Sequence, residues 1–111
     1  MKHVNPDNDW RYKYRVTTDD ATTGASIAAA GLAGLQAWFS TSRGGATINA
    51  ALTKNMTELS GTPGTYTAVV DGDVLRSYLA ALDGQVIWEV FGDGLNVFTS
   101  VNRRVKVVRE L

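Results

Sequence analysis

Residues 61 to 91 read GTPGTYTAVVDGDVLRSYLAALDGQVIWEVF, and the periodicity of this stretch changes twice. Pro63 fixes one backbone dihedral and Gly64 is free to take positive φ, so Ser60 to Gly64 is a turn. From Thr65 to Val70 the residues Tyr66, Ala68 and Val70 alternate with Thr65, Thr67 and Val69, the period of a strand. At Asp71 the period lengthens. Val74, Tyr78 and Leu82 recur every four residues with Leu75 and Leu79 beside them, forming one apolar helical stripe. Asp71 or Asp73 is placed to cap the start, and Gly84 suits the left-handed position just past the end. Gln85 to Phe91 returns to strand character. The unit is strand, short helix near residues 72–83, strand.

Outward from this unit, Gly92-Asp93-Gly94 carries an Asp-Gly turn signal that predicts a hairpin into Asn96 to Asn102, followed by a basic strand at 103–109 with Val105 and Val107 on one face. Toward the other end, Trp10, Tyr12, Tyr14 and Val16 alternate with Arg11, Lys13 and Arg15, which predicts a strand with aromatics on one side and cations on the other. Residues 17–24, TTDDATTG, read as an exposed loop. The Ala/Gly run after it reads as two short strands, Ser26 to Ala30 and Leu35 to Ser42, with a helix at 25–33 as the competing reading because alanine favours helix. Ala46 to Lys54 and Met56 to Leu59 are two further expected strands. Residues 1–9, MKHVNPDND, are polar and contain Pro6, and read as a flexible N-terminal arm. Short strands separated by turns about every ten residues predict an all-β fold. The expectation is a β-sandwich, jelly-roll-like or immunoglobulin-like, over residues 10–111, with one short α-helix inserted.

With 111 residues there is room for one modest core. Basic and acidic residues balance at 11 each, so the whole molecule has no field to draw in nucleic acid or an anionic membrane, and any charge-driven contact must be local. The absence of Cys excludes disulfides, thiol catalysis and thiolate metal sites. The apolar run from Ala25 to Phe39 is shorter than the roughly 20 residues of a membrane-spanning helix and is interrupted by glycines. The opening residues lack the apolar segment of a signal peptide, so intracellular synthesis is expected.

Side chains that carry chemistry are sparse. His3 is the only histidine and lies in the expected arm, without a fixed partner for a triad or a ligand set. Asp71-Gly72-Asp73 and Asp7-Asn8-Asp9 resemble fragments of a calcium loop but lack the glycine and distal glutamate that complete one. The remaining acids cluster in turns, and Gly44-Gly45 and Gly61 to Gly64 lack the Lys-Ser/Thr of a phosphate loop. Glu89, inside a strand, reads as solvent-facing or paired with a base on a neighbouring strand. Neither a catalytic set, a cofactor site nor a metal site is expected. Seven of the 11 basic residues fall in the first and last predicted strands. A face of Arg11, Lys13 and Arg15, joined by Arg104, Lys106 and Arg109, would suit an acidic protein better than nucleic acid in a chain of zero net charge. If the strand from 10 lies at a sheet edge, Trp10, Tyr12 and Tyr14 become candidate anchors for another subunit.

Residues 31–40, GLAGLQAWFS, together with 61–91 and the closing basic strand, resemble the small sandwich proteins of bacteriophage virions. Gly64, Thr65 and Tyr66 carry the Gly-x-Tyr phrase that ends a strand there before a short helix, a strand and a final hairpin. The resemblance covers about residues 26 to 109 and is closest to the capsid cement, or decoration, proteins of epsilon15-like short-tailed phages. It implies a non-enzymatic structural protein of the virion capsid, made in the host cytoplasm. Such a protein binds the major capsid protein, bridges neighbouring capsid subunits and associates as a dimer on the capsid, with neither membrane nor nucleic acid as partner. A head-to-tail or baseplate adaptor is the alternative within the virion. A carbohydrate-binding module, with Trp10, Tyr12 or Trp38 as its stacking platform, is the alternative outside it.

Overall fold

Residues 2–92 and 101–109 are described by the structure, a computed structural model. In chain order the strands are β1 (Lys2–Val4), β2 (Trp10–Arg15), β3 (Thr17–Asp19), β4 (Ser26–Ala28), β5 (Gln36–Ser40), β6 (Lys54–Asn55), β7 (Thr57–Glu58), β8 (Thr65–Val70), β9 (Val86–Gly92) and β10 (Val101–Val107). One helix, α1 (Gly72–Leu79), joins β8 to β9, and 3-10 turns occupy Ala50–Leu52 and Ala80–Leu82. A five-stranded sheet, ordered β1-β10-β9-β5-β6, faces a three-stranded sheet, β2-β8-β7, while β3 and β4 form a separate ribbon. The protein is therefore a small all-β, sandwich-like fold with one inserted helix, as the alternation of residues predicts.

The two sheets are joined through the chain at both sides. Only Met56 separates β6, at the edge of the large sheet, from β7, at the edge of the small one. Residues 5–9 likewise carry the chain from β1 to β2. Strands that switch sheets at a bend form the corners of such packings. The bend at 5–9 is set by Asn5, whose side-chain oxygen accepts the Asp7 N–H at 3.0 Å and whose carbonyl accepts the Asn8 N–H at 3.1 Å. Residues 2–9 are thus not an arm. β1 pairs in parallel with β10 from Lys2↔Val105 to Val4↔Val107, and Val4 is wholly buried. Polarity and Pro6 suggested a loose segment, but a single apolar residue at the right register is enough to seat a three-residue strand.

One core lies between the sheets. Tyr12, Tyr14, Tyr66 and Val70 enter it from the small sheet, Phe39, Ile87, Phe91, Val105 and Val107 from the large one, and Leu75 and Leu79 from α1. Tyr14 stacks on Phe91 with centroids 4.6 Å apart, and Tyr12 meets Phe39 at 5.4 Å. Aromatic pairs at such distances contribute about 0.5–1.5 kcal/mol beyond area burial.

Other local expectations shift. The loop at 17–24 shrinks to a turn, because β3 and β4 pair antiparallel and Asp20 accepts the N–H groups of Thr22 and Thr23. No helix forms at 25–33. Tyr66 holds that segment open, its hydroxyl donating to the Ala29 carbonyl at 2.6 Å and accepting the Leu32 N–H. Ala46 to Lys54 is not a strand: Asn49 caps a 3-10 turn by accepting the Ala51 N–H, and only Lys54–Asn55 is extended. The helix ends at Leu79 and tightens into the 3-10 turn, so Tyr78 is exposed while Leu75 and Leu79 are buried. Asp71 sits at the cap position without a side-chain bond to the helix. The Gly72 N–H is met instead by Asp9, from the corner, at 2.7 Å. Gly84 takes φ +84° as expected, and its N–H donates to the Val107 carbonyl. The expected Asp93-Gly94 turn, and the strand start at Asn96, lie outside the described residues. The flanking β9 and β10 are antiparallel neighbours.

Candidate functional site

The alternation in β2 sorts its candidates into two groups. Tyr12 is wholly buried, Tyr14 is 5% exposed and Trp10 is half-buried, whereas Arg11, Lys13 and Arg15 are exposed. β2 does lie at a sheet edge, yet its aromatics point into the core. Burial leaves Tyr12 and Tyr14 no surface with which to anchor another subunit or stack on a sugar, and only half-buried Trp10 reaches the outside. Trp38 is half-buried as well, its indole N–H donating to the Gly45 carbonyl at 2.9 Å.

Two of these aromatics, Trp10 and Tyr14, hold Glu89. This residue is 1% exposed, which removes the solvent-facing reading, and it sits on β9 directly across from Arg103 on β10. The Trp10 indole N–H donates to Glu89 Oε2 at 2.7 Å and the Tyr14 hydroxyl donates to Oε1. The Arg103 guanidinium stands 4.0 Å from Oε1 and lies over the Tyr14 ring at 5.2 Å. The clasp crosses the sandwich, from β9 in one sheet to β2 in the other. Burial, and then the charge of Glu89, hold both Tyr14 and Tyr12 far above the ordinary phenol range, so each remains a donor. Tyr12 donates to the Leu52 carbonyl at 2.7 Å. No buried side-chain polar atom among the described residues lacks a partner. A carboxylate with both oxygens engaged in a packed interior is arranged to fasten two sheets.

The cations that remain outward do not form one patch. Arg11, Lys13 and Arg15 occupy the outer face of the small sheet, while Arg104 and Lys106 alternate with the buried Val105 and Val107 and so occupy the outer face of the large sheet. A shared core between the sheets puts these faces on opposite sides of the molecule. Arg109 belongs to neither. Its guanidinium donates twice to Asp7 at 3.0 Å, and Arg76 of α1 donates to the same carboxylate at 3.1 Å. The Arg109 side chain beside it holds the Asp7 carboxyl below the usual range, against the opposing effect of desolvation and with further help from Arg76. This exposed cluster ties the corner segment, the helix and the end of β10 together.

Sequence reasoning passed over the outer surface around Trp88. Arg43 lies over the Trp88 ring at 5.9 Å, and a shallow depression of about 380 Å³ is lined by Trp88, Asn102, Arg103 and Arg104. Asn102 Oδ1 accepts the Gly44 N–H at 2.6 Å, so the 41–45 turn is fastened beside it. The available signal was the alternation of Ile87 and Glu89 around Trp88, which sends the indole to the opposite face from Glu89. His3 is exposed on β1, opposite Lys106. Among the described residues no group of three or more His, Asp or Glu side chains could hold a metal ion, and no helix is long and apolar enough to cross a membrane. Comparison of the chain with protein-family models, curated proteins and solved structures finds no match.

Proposed function

We propose that this chain is a capsid decoration protein of a bacteriophage, a non-enzymatic clamp that bridges and stabilises neighbouring copies of a major capsid protein. The observation that supports the reading is the division of its outward cations into two faces on opposite sides of a sandwich, Arg11, Lys13 and Arg15 on one and Arg104 and Lys106 on the other. A molecule with cations on two opposed faces can contact acidic surfaces on two neighbours at once, whereas a single concave site would engage one ligand. The clasp at Glu89 suits that duty, because a bridge under load must keep its two sheets from sliding apart. Binding through many equivalent copies converts weak individual contacts into lasting attachment.

The decisive measurement is the copy number in purified virions against the major capsid protein. A number comparable with the capsid protein is expected, together with a lower rupture temperature for particles stripped of this chain. A ring-like handful of copies would replace the decoration reading with a head-to-tail or baseplate adaptor, and absence from virions would remove both.

A further inference from the structure

We propose that the free edge of β2 takes up an extended acidic segment of a partner protein as an added strand, with carboxylates at alternate positions facing Arg11, Lys13 and Arg15. The direction of the backbone groups supplies the first argument. The Val16 N–H donates to the Gly64 carbonyl at 2.8 Å, continuing the antiparallel register that runs from Trp10↔Val70 to Arg15↔Thr65. Hydrogen-bonded and non-bonded positions alternate along such a ladder. Trp10, Tyr12 and Tyr14 therefore bond to β8, and the N–H and C=O groups of Arg11, Lys13 and Arg15 point away from it. Among the described residues no strand pairs with β2 on that side.

Charge is the second argument, and it selects the occupant. The same three residues project their side chains from the outer face at a spacing of about 7 Å, the repeat of every second residue in a strand. Their cross-strand neighbours on β8 are Val69, Thr67 and Thr65, so no carboxylate answers them in the ladder, and none forms an ion pair with them among the described residues. A second copy of β2 laid antiparallel about Lys13 would set Lys13 against Lys13 and Arg11 against Arg15, which like-charge repulsion opposes. Cations at an edge commonly keep neutral strands away. They leave an acidic strand attractive, and an added strand would satisfy the backbone groups and the charges together. A polyanion such as single-stranded nucleic acid answers the charges but has no ladder to complete.

This inference rests on the reading of the chain as an interaction protein, and peptides test it apart from capsids. The isotope-labelled full chain is titrated with a strand-length peptide of alternating Glu and Val, with its Lys counterpart, and with the Glu peptide N-methylated at alternate residues. Binding of the Glu peptide is expected, with the amides of Arg11, Lys13 and Arg15 shifting and gaining protection from exchange. N-methylation, and separately the exposed change Lys13→Glu, should each weaken binding by about tenfold. Equal binding of the N-methylated peptide, no shift at those amides, or tighter binding of a single-stranded oligonucleotide would overturn strand addition. Peptide binding without attachment to capsids would remove the capsid reading alone, and attachment undiminished by Lys13→Glu would remove strand addition together with the contact made by that face, leaving the capsid reading to the copy number.

Discussion

Glu89 persists inside an apolar core because each of its oxygens meets a donor, and burial keeps one of those donors, Tyr14, from losing its proton. Removing the Tyr14 hydroxyl leaves Oε1 with only the Arg103 guanidinium at 4.0 Å. Tyr14→Phe should therefore lower unfolding free energy by about 1–3 kcal/mol in urea titration. In a Glu89→Gln background the loss should be smaller, since the two side chains act as one network. Glu58 plays a related part in the open. Its oxygens accept the N–H groups of Gly64 at 2.8 Å and Gly31 at 3.0 Å, and those two bonds hold its carboxyl below the ordinary value. A carboxyl lowered on folding gives full stabilisation above the unfolded carboxylate range, and loses it as pH falls through the lowered folded value. Glu58→Gln should thus reduce the melting temperature at neutral pH and make little difference once both proteins are well below pH 4. A constant difference across that range would show that Glu58 acts through packing instead. In sequence, Glu89 stood out as an acid in the middle of an apolar strand. Its donors could not be named, because they come from residues 75 and 79 positions away.

The elements were legible wherever one periodicity held for six residues or more. β2 and β8 follow from alternation and α1 from the change of period at Asp71, while the separate strands expected to end at Asn102 and to run over 103–109 meet in one, β10 (Val101–Val107). Short segments misled for a local reason. At Ala46 to Lys54 alternation pointed to a strand, but Asn49 offers its side chain to the Ala51 N–H, and a cap bond outweighs a weak pattern of alanines. At 17–24 turn-forming residues concealed three that pair as β3, whose partner β4 lies beyond the turn. The helix stripe is narrower than its spacing suggested, and the difference is measurable. Leu79→Ala should destabilise by about 2–5 kcal/mol, whereas Tyr78→Ala, at an exposed position, should stay within about 0.5 kcal/mol. Comparable losses at the two sites, read by chemical denaturation, would mean that the helix is turned about its axis from the arrangement described here.

At the level of the whole molecule, the sandwich class was readable from the density of strands and turns, but its closure was not. Pairing of β1 with β10 depends on which three-residue segment finds a particular edge, and no local pattern around Val4 announces it. The candidate surface suffered in the same way. Arg11, Lys13, Arg15, Arg104 and Lys106 are outward as alternation requires, yet only the assignment of strands to sheets shows that they occupy opposite sides. Arg109 is diverted to Asp7. Deleting residues 2–9 should consequently lower stability by about 2 kcal/mol or more, from the loss of Val4 burial and the release of Arg76 and Arg109, as read by thermal melting. An unchanged melting temperature would restore the loose arm.

The parallel pairing of β1 with β10 also bears on biosynthesis. The strand made first among those described is completed by the one made last, so while residues 101–107 are still within the ribosome Lys2–Val4 has no partner and Val4 no pocket. Domains whose early segments pair with late ones cannot complete their sheets until the late segment has emerged, and the cost of joining distant segments slows them further. A nascent chain of this protein therefore emerges with its large sheet unfinished, and the edge later covered by β1 closes only after β10 has been released.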